Sequence, residues 1–285
     1  EQTLTISISH RDICSIYNDE DIDTERKIRI GCFPIGIDYK QYARYAARED
    51  VAKLTSGLRS KLKGRKIILG MDRMDYTKGI PNRLKAFALA LRYYPELIEH
   101  VTLVQHIAPS REDIPEYQEL KNEIEHLVSE INGEFTRAGW IPVHYFHHNI
   151  SFNEIIAYYR AADIALITPL KDGMNLVAKE YCAAQVDDNG VLILSEFAGA
   201  ADQLQKGALL VNPFDVEGTA KAIYKAINMP EKERNSRMHQ LRKIIHDSDI
   251  FSWVDSILHK TTDKIPDHIH QKLNPISQTL SQDKN

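Results

Sequence analysis

The sequence predicts an α/β protein built on a doubly wound parallel sheet with a Rossmann-like arrangement. From about residue 63, short aliphatic runs alternate with longer amphipathic segments. The runs are apolar throughout rather than at every second position, as in strands that are buried on both faces. Such strands alternating with helices indicate one parallel sheet covered by helices on both sides.

Six aliphatic runs are expected to form this sheet, at residues 66–70, 101–107, 143–147, 163–169, 191–195 and 208–212. One helix is expected from about Pro81 to Tyr94 and another from near Met174. A third follows Asp113, because apolar residues recur there at three- and four-residue intervals, and Asn132-Gly133 is expected to end it.

Start signals accompany several helices. Residues 110–113 and 151–154 read as capping boxes, in which a serine accepts from a free backbone N–H. Asp215 is expected to cap the helix that carries Ala220 and Ile223.

The two ends of the chain do not follow this repeat. Residues 3–9 and 27–33 read as two strands, too few to bury a core of their own, so residues 1–45 are expected to be the remnant of a preceding domain. Residues 46–250 are expected to form the main domain, and residues 251–265 a helix that crosses back to the preceding domain. The polar segment 266–285 is expected to be a mobile tail.

Composition excludes several classes of function. Charged residues make up 27% of the chain and its net charge is −4, so nothing indicates a nucleic-acid or membrane partner. Three scattered cysteines without a CxxC spacing argue against a disulfide framework or zinc site, and no signal peptide or membrane helix is evident. We expect a cytoplasmic protein. The chain begins at Glu1 without methionine, so we expect it to be a fragment.

Three junctions between a strand and a helix are unusually polar, and ligands bind at such junctions in doubly wound sheets. Arg73 and Lys78 follow the first strand and would suit a diphosphate, unless Asp72 and Asp75 simply neutralise them.

At the second junction, Asp172 precedes a helix start that could bind an anion. Gly173 is expected to allow the sharp turn there, and Glu180 lies about two turns into that helix. The alternative makes Asp172 a cap and Glu180 a surface residue.

At the third junction, Arg111 could bind a second phosphate or pair with Glu112 or Asp113.

Other signals are weaker. His144 and His147 lie on opposite faces of one strand and are poor joint metal ligands. Residues 21–23 and 247–249 match a metal-binding DxD pattern but lie in charged connecting stretches. The absence of GxGxxG and GxxxxGK[ST] weakens dinucleotide and P-loop interpretations, including an oxidoreductase.

The junctions together resemble one known family. Residues 71–81, 109–113, 137–145, 168–180, 194–201 and 210–213 appear in the order found in trehalose-6-phosphate synthases, which are retaining GT-B glycosyltransferases of family 20. The resemblance runs from about residue 28 to 263, and the block DGMNLVAKE at 172–180 is highly specific. It implies that this chain is the C-terminal, nucleotide-sugar-binding half of such an enzyme.

The resemblance also implies a role for each matching residue. Arg73, Lys78 and Asp172 would be catalytic, the two cations holding the donor diphosphate and Asp172 the glucose hydroxyls. Arg111 would bind the phosphate of the acceptor, glucose 6-phosphate. The remaining donor-binding residues would be Ile150 at the base, Gly173, Met174 and Asn175 at the glucose, Leu176 and Val177 at the phosphates, and Glu180 at the ribose.

The family is expected to need no metal or other cofactor, with UDP-glucose as donor. Because most acceptor contacts would lie in the missing N-terminal domain, the chain alone is expected to bind the nucleotide-sugar and transfer little glucose. Two alternatives stay open: a glucosylglycerol-phosphate synthase that uses ADP-glucose and glycerol 3-phosphate, and a non-catalytic nucleotide-sugar-binding domain. The nucleotide of the donor (UDP, ADP or GDP) and the oligomeric state also stay open, a homo-oligomer included.

Overall fold

The computed structural model describes residues 14–16, 28–30, 32–110 and 113–262. The chain divides into two compact units, one of Ile35–Ser252 and one of Glu1–Pro34 with Trp253–Asn285. The larger unit begins eleven residues before residue 46, where the main domain was expected to begin. The assignment of the preceding residues to another domain stays a prediction, and the tail expected at 266–285 lies outside the described residues.

The smaller unit contains a short antiparallel pair of strands, β1 (Cys14–Ile16) and β2 (Ile28–Ile30). β2 falls within the predicted strand 27–33, whereas β1 lies in the charged stretch that was expected to separate two strands. The strand predicted at 3–9 and the DxD pattern at 21–23 lie outside the described residues.

The larger unit is a parallel six-stranded sheet flanked by helices, which confirms the predicted fold class. Its strands are β3 (Lys66–Arg73), β4 (Val101–Ala108), β5 (Val143–His147), β6 (Ile164–Ile167), β7 (Val191–Ser195) and β8 (Leu209–Val211). Their order is β5-β4-β3-β6-β7-β8, so the direction of winding reverses between β3 and β6. Ligands bind in doubly wound sheets at the carboxyl ends of the strands on either side of such a reversal.

Helices cover both faces of the sheet. Their bounds are α1 (Tyr39–Ala46), α2 (Glu49–Lys61), α3 (Ile80–Tyr93), α4 (Pro115–Phe135), α5 (Phe152–Ala161), α6 (Leu176–Ala184), α7 (Ala200–Leu204), α8 (Val216–Ile227) and α9 (Glu231–Asp247). A further helix, α10 (Ile250–Thr262), begins at the end of the larger unit and belongs mostly to the smaller one. Alternate residues of β3 enter different cores: Ile68 packs with α3, α4 and α8, whereas Ile67 and Leu69 pack with α5, α6 and α9. None of the helices in the described part of the chain is long and apolar enough to cross a membrane.

Two helix starts are confirmed and two boundaries are wrong. Ser151 forms the predicted capping box, and Asp215 caps α8 by accepting from the Gly218 N–H. Ser110 does not cap α4, which begins at Pro115, because proline is favoured in a first helical turn, where its missing N–H costs nothing.

The other wrong boundary is the expected end of α4 at Asn132-Gly133. The helix continues to Phe135, which is buried and extends the apolar stripe of Ile131. Asn132 instead ties α4 to β5, because its side chain bonds both the N–H and the carbonyl of Val143. An asparagine in the last turns of a helix is therefore not always its stop.

Candidate active site

The loop after β3 is built to present two cations. Arg73 ends the strand and is exposed, and a 3₁₀ turn follows at Tyr76–Lys78. Asp75 caps this turn, because its side chain accepts from the Thr77 N–H at 2.9 Å. Gly79 has φ 63°, a left-handed conformation that suits glycine and turns the chain into α3. Asp75 is therefore used in local structure and does not neutralise Arg73.

The loop after β6 ends in a helix start with free N–H groups. Asn175 caps α6 by accepting from the Ala178 N–H at 3.1 Å, and it has φ 72°. The helix therefore begins at Leu176, two residues later than predicted, and the left-handed turn falls on Asn175 rather than on Gly173. No residue in the described ranges accepts from the N–H groups of Leu176 and Val177. Free N–H groups at the positive end of a helix dipole are able to bind an anion.

Direct contacts hold these two loops together. The Leu170 N–H donates to the Thr77 carbonyl at 2.7 Å. A Cβ on Gly79 would lie 2.4 Å from the Thr168 carbonyl, so only glycine permits this approach. As a result, Lys78 Nζ lies 2.6 Å from Asp172 Oδ2, in an ion pair whose side chains are 17% and 14% exposed.

A third loop, after β7, packs against the loop after β6 and supports it. The Gly199 N–H donates to the Asp172 carbonyl at 2.9 Å, and the Ala200 N–H donates to the Met174 carbonyl at 2.8 Å. A Cβ on Gly199 would lie 2.1 Å from the Gly173 carbonyl oxygen. The close packing of these backbones fixes the position of Asp172.

We expect Gly199→Ala to lower the free energy of unfolding by about 1–3 kcal/mol, the usual cost of overpacking. Gly133→Ala is the matched control, because the added methyl has open space inside α4. It should raise stability by up to about 1 kcal/mol through helix propensity. Urea unfolding of both variants checks this, and equal stabilities would contradict the close approach at Gly199.

These loops surround a cleft of about 540 Å³ at the reversal point of the sheet. Of the residues predicted for the site, those that line it are Arg73, Lys78, Ile150, Asp172, Met174, Asn175, Leu176, Val177 and Glu180. Gly173 does not line the cleft, and its carbonyl faces Gly199 instead. Arg111 lies outside the described residues.

Comparison with known proteins decides the family. The sequence model of Glycosyltransferase family 20 matches residues 9–263. This chain belongs to glycosyltransferase family 20.

Individual relatives agree. The UDP-forming alpha,alpha-trehalose-phosphate synthase of Candida albicans is 46% identical over 216 residues, which are 76% of this family 20 chain and 45% of that protein. A Burkholderia xenovorans alpha,alpha-trehalose-phosphate synthase in complex with glucose-6-phosphate superposes with a TM-score of 0.79 at 36% identity, over 82% of this chain and 52% of that one.

An E. coli structure bound with UDP-2-fluoro glucose gives a TM-score of 0.78 at 36% identity, over 84% of this chain and 53% of that one. This family 20 chain therefore spans about half the length of the relatives it matches.

Two carboxylates of the cleft have opposite pKa shifts. Burial raises the pKa of Asp172, but hydrogen bonds from Lys78, the Met174 N–H and the Asn175 amide outweigh it and hold the pKa below its usual value. Burial dominates at Glu180 and raises its pKa, although hydroxyl groups of Tyr159 and Tyr42 donate bonds that partly oppose the rise. Glu180 is thus a half-buried, hydrogen-bonded carboxyl rather than an exposed surface residue.

Arg83 was not predicted from the sequence, yet it is 1% exposed and contacts three neighbouring strands or their ends. Its guanidinium pairs with Asp72 at 2.5 Å and also donates to Gln105 within β4 and to Thr168 just after β6. Asp72 therefore neutralises Arg83 and not Arg73. The sequence does carry a signal, because Arg83 lies on the apolar face of α3 between Ile80 and Leu84.

Lys179 was also missed. It is fully buried, and its ammonium donates to the Ile35 carbonyl at 2.8 Å and to Gln203 Oε1 at 2.7 Å. Because both acceptors are neutral, burial lowers the pKa of Lys179 to about 8. Ile35 lines the cleft, so Lys179 holds part of its wall against α6.

No group of three or more histidine, cysteine, aspartate or glutamate side chains in the described residues could hold a metal ion. The expected independence of metal stays a prediction.

Proposed function

We propose that this chain is the donor-binding part of a retaining glucosyltransferase that moves glucose from UDP-glucose to glucose 6-phosphate, forming trehalose 6-phosphate and UDP. The observation that supports it is the convergence of Arg73, Lys78, Asp172 and the free N–H groups of α6 on one cleft. Cations and helix N–H groups in one place suit a diphosphate. The names of the relatives favour this reaction over the glycerol 3-phosphate alternative.

The donor would lie across the cleft from the β5 loop to the β3 loop. Its diphosphate would bind between Arg73, Lys78 and the N–H groups of Leu176 and Val177. Glu180, four residues or about 6 Å along the axis from the start of α6, would accept from the ribose hydroxyls. The backbone at Ile150 would contact the uracil.

The glucose would be gripped by Asp172 and by the backbone of 173–175. Both Asp172 oxygens already accept hydrogen bonds, from Lys78, Asn175 and the Met174 N–H, and its low pKa keeps it ionised as an acceptor for hydroxyl groups. We assign it to binding sugar hydroxyls rather than to attack on the sugar carbon.

Catalysis would consist mainly of stabilising the leaving UDP. As the bond between the anomeric carbon and the phosphate oxygen breaks, negative charge grows on the diphosphate. Arg73, Lys78 and the α6 N–H groups face that charge from fixed positions, and such preorganised donors stabilise a transition state without reorganising. Lys78 must then share its ammonium between Asp172 and the phosphate.

The 285-residue chain alone is expected to bind UDP and UDP-glucose but to transfer little or no glucose to glucose 6-phosphate, because it spans about half the length of its relatives. Calorimetry with both nucleotides and a coupled assay for UDP release test this. Absence of binding at millimolar ligand would overturn the site. Brisk transfer by the chain alone would overturn the need for a separate acceptor domain.

Acidification should weaken UDP-glucose binding through Glu180. The ribose hydroxyls are best accepted by the ionised carboxylate, whose pKa is raised by burial, so affinity is present above that pKa and is lost as the pH falls through it. UDP-glucose is preferable to UDP because it lacks a terminal phosphate that titrates in this range. Calorimetry between neutral and mildly acidic pH should show the loss, and Glu180→Gln should remove most of the pH dependence. An equal dependence in both proteins would contradict the assignment.

The acceptor phosphate is assigned to Arg111 by the family resemblance alone. A cytoplasmic location stays a proposal that rests on the cysteine pattern of the sequence.

A further inference from the structure

A second cavity, of about 450 Å³, lies at the amino ends of the strands. We call it the amino-edge pocket; its lining includes Ser56 and Arg59 of α2, Lys66 at the start of β3, Arg160 of α5 and Asp163 before β6. Lys66 and the cleft residue Arg73 stand at opposite ends of the eight-residue β3. At about 3.3 Å per residue they are about 23 Å apart, so the amino-edge pocket is separate from the donor cleft.

Positive charge is in excess in the inner part of the amino-edge pocket. Asp163, the buried carboxylate there, pairs with both Lys66 at 3.2 Å and Arg59 at 3.3 Å. Its other oxygen accepts from the Ile67 N–H at 2.9 Å. The two cations therefore share one carboxylate, both of whose oxygens already accept hydrogen bonds. Each cation keeps N–H groups that can donate to another ligand.

Arg160 adds a third cation. One of its nitrogens donates to the Ala46 carbonyl at 2.7 Å, which fixes the guanidinium in place. A second nitrogen lies 3.5 Å from Asp187, whose side chain is 73% exposed and therefore strongly screened by water. Asp187 also lines the pocket, so its three cations and two carboxylates leave a net charge of +1.

We propose that the amino-edge pocket binds a small phosphate-bearing anion. Two guanidinium groups and an ammonium, held by a buried carboxylate and a backbone carbonyl, offer converging donors of the kind that bind phosphate. The Ser56 hydroxyl adds a neutral donor at the rim. The volume admits a phosphate with a small organic group as well as inorganic phosphate. The proposal does not depend on the donor cleft.

The test titrates inorganic phosphate, and separately glucose 6-phosphate, into the 285-residue chain by calorimetry at low ionic strength. Saturating UDP is present throughout, so that phosphate cannot enter the donor cleft. Ser56→Glu places a negative charge at the rim of the pocket without removing an ion pair, and Ser56→Gln is its uncharged match. Circular dichroism checks that both variants keep the fold.

Saturable phosphate binding should persist in the presence of UDP and should be about tenfold weaker in Ser56→Glu than in Ser56→Gln, because like charges repel across a short distance. Tighter binding of glucose 6-phosphate than of inorganic phosphate would show that the pocket also contacts the organic group, and equal binding that it contacts phosphate alone. Equal affinity of the two Ser56 variants would overturn the proposal. So would the loss of all saturable binding once UDP is present.

Discussion

Under the proposed function, Lys78→Ala is expected to slow glucose transfer, measured in a protein that also carries the acceptor domain, by about 10²–10³-fold, the usual cost of removing one preorganised donor to a developing negative charge. The reason lies in the 2.6 Å pair between Lys78 and Asp172. Without the ammonium, the diphosphate loses a cation and meets an uncompensated Asp172 carboxylate nearby. Initial rates with UDP-glucose and glucose 6-phosphate measure the effect.

Lys171→Ala is the matched control for this substitution. Lys171 lies in the same pair of touching loops, but its side chain is exposed and does not line the cleft. Its removal changes the net charge of the protein by the same amount as Lys78→Ala. Because the side chain lies on the surface and outside the cleft, the rate should stay within about twofold, as is usual for surface substitutions. If both variants lost the same activity, the effect would come from overall charge and not from the position of Lys78.

Arg83→Met is expected to lower the free energy of unfolding by about 3–5 kcal/mol, because it leaves the buried Asp72 carboxylate without its partner. The same change should weaken UDP-glucose binding, since Arg83 ties together Asp72 near the end of β3, Gln105 of β4 and Thr168 just after β6, close to the cleft loops. Urea unfolding and calorimetry measure the two effects separately.

Two further variants of this chain show whether Arg83 positions the residues of the cleft. Arg92→Met, on the same helix but in an exposed pair with Glu134, should cost no more than about 1 kcal/mol and leave affinity unchanged. Asp72→Asn combined with Arg83→Met removes both charges and should regain part of the stability. Its affinity for UDP-glucose should stay weak, because the anchor at Thr168 is still missing. Full recovery of affinity together with stability would mean that Arg83 acts on stability alone.

The parallel sheet could be predicted because its strands are apolar on both faces, a pattern typical of strands that helices cover on both sides. The predicted bounds of β5 and β7 match the structure. The ends of the helices could be predicted less accurately than the strands, because they depend on contacts with distant parts of the chain. Asn132 bonds to β5 instead of ending α4, and Pro115 starts that helix where Ser110 was expected to.

The candidate site could be predicted only as separate loops. Local sequence places Arg73 and Lys78 after one strand and Asp172 after another, but the ion pair between Lys78 and Asp172 depends on strand order and on the close approach at Gly79. Buried charges such as Arg83 and Lys179 give a weaker signal, a cation on an apolar helix face. That signal does not identify their partners, which lie far away in the sequence.

A crystal structure of this chain with UDP-glucose would test the proposed donor site directly. We expect the diphosphate within hydrogen-bond distance of the N–H groups of Leu176 and Val177 and of the Arg73 and Lys78 side chains, with the ribose at Glu180. A diphosphate bound elsewhere, or one that leaves Lys78 paired only with Asp172, would be incompatible with this site.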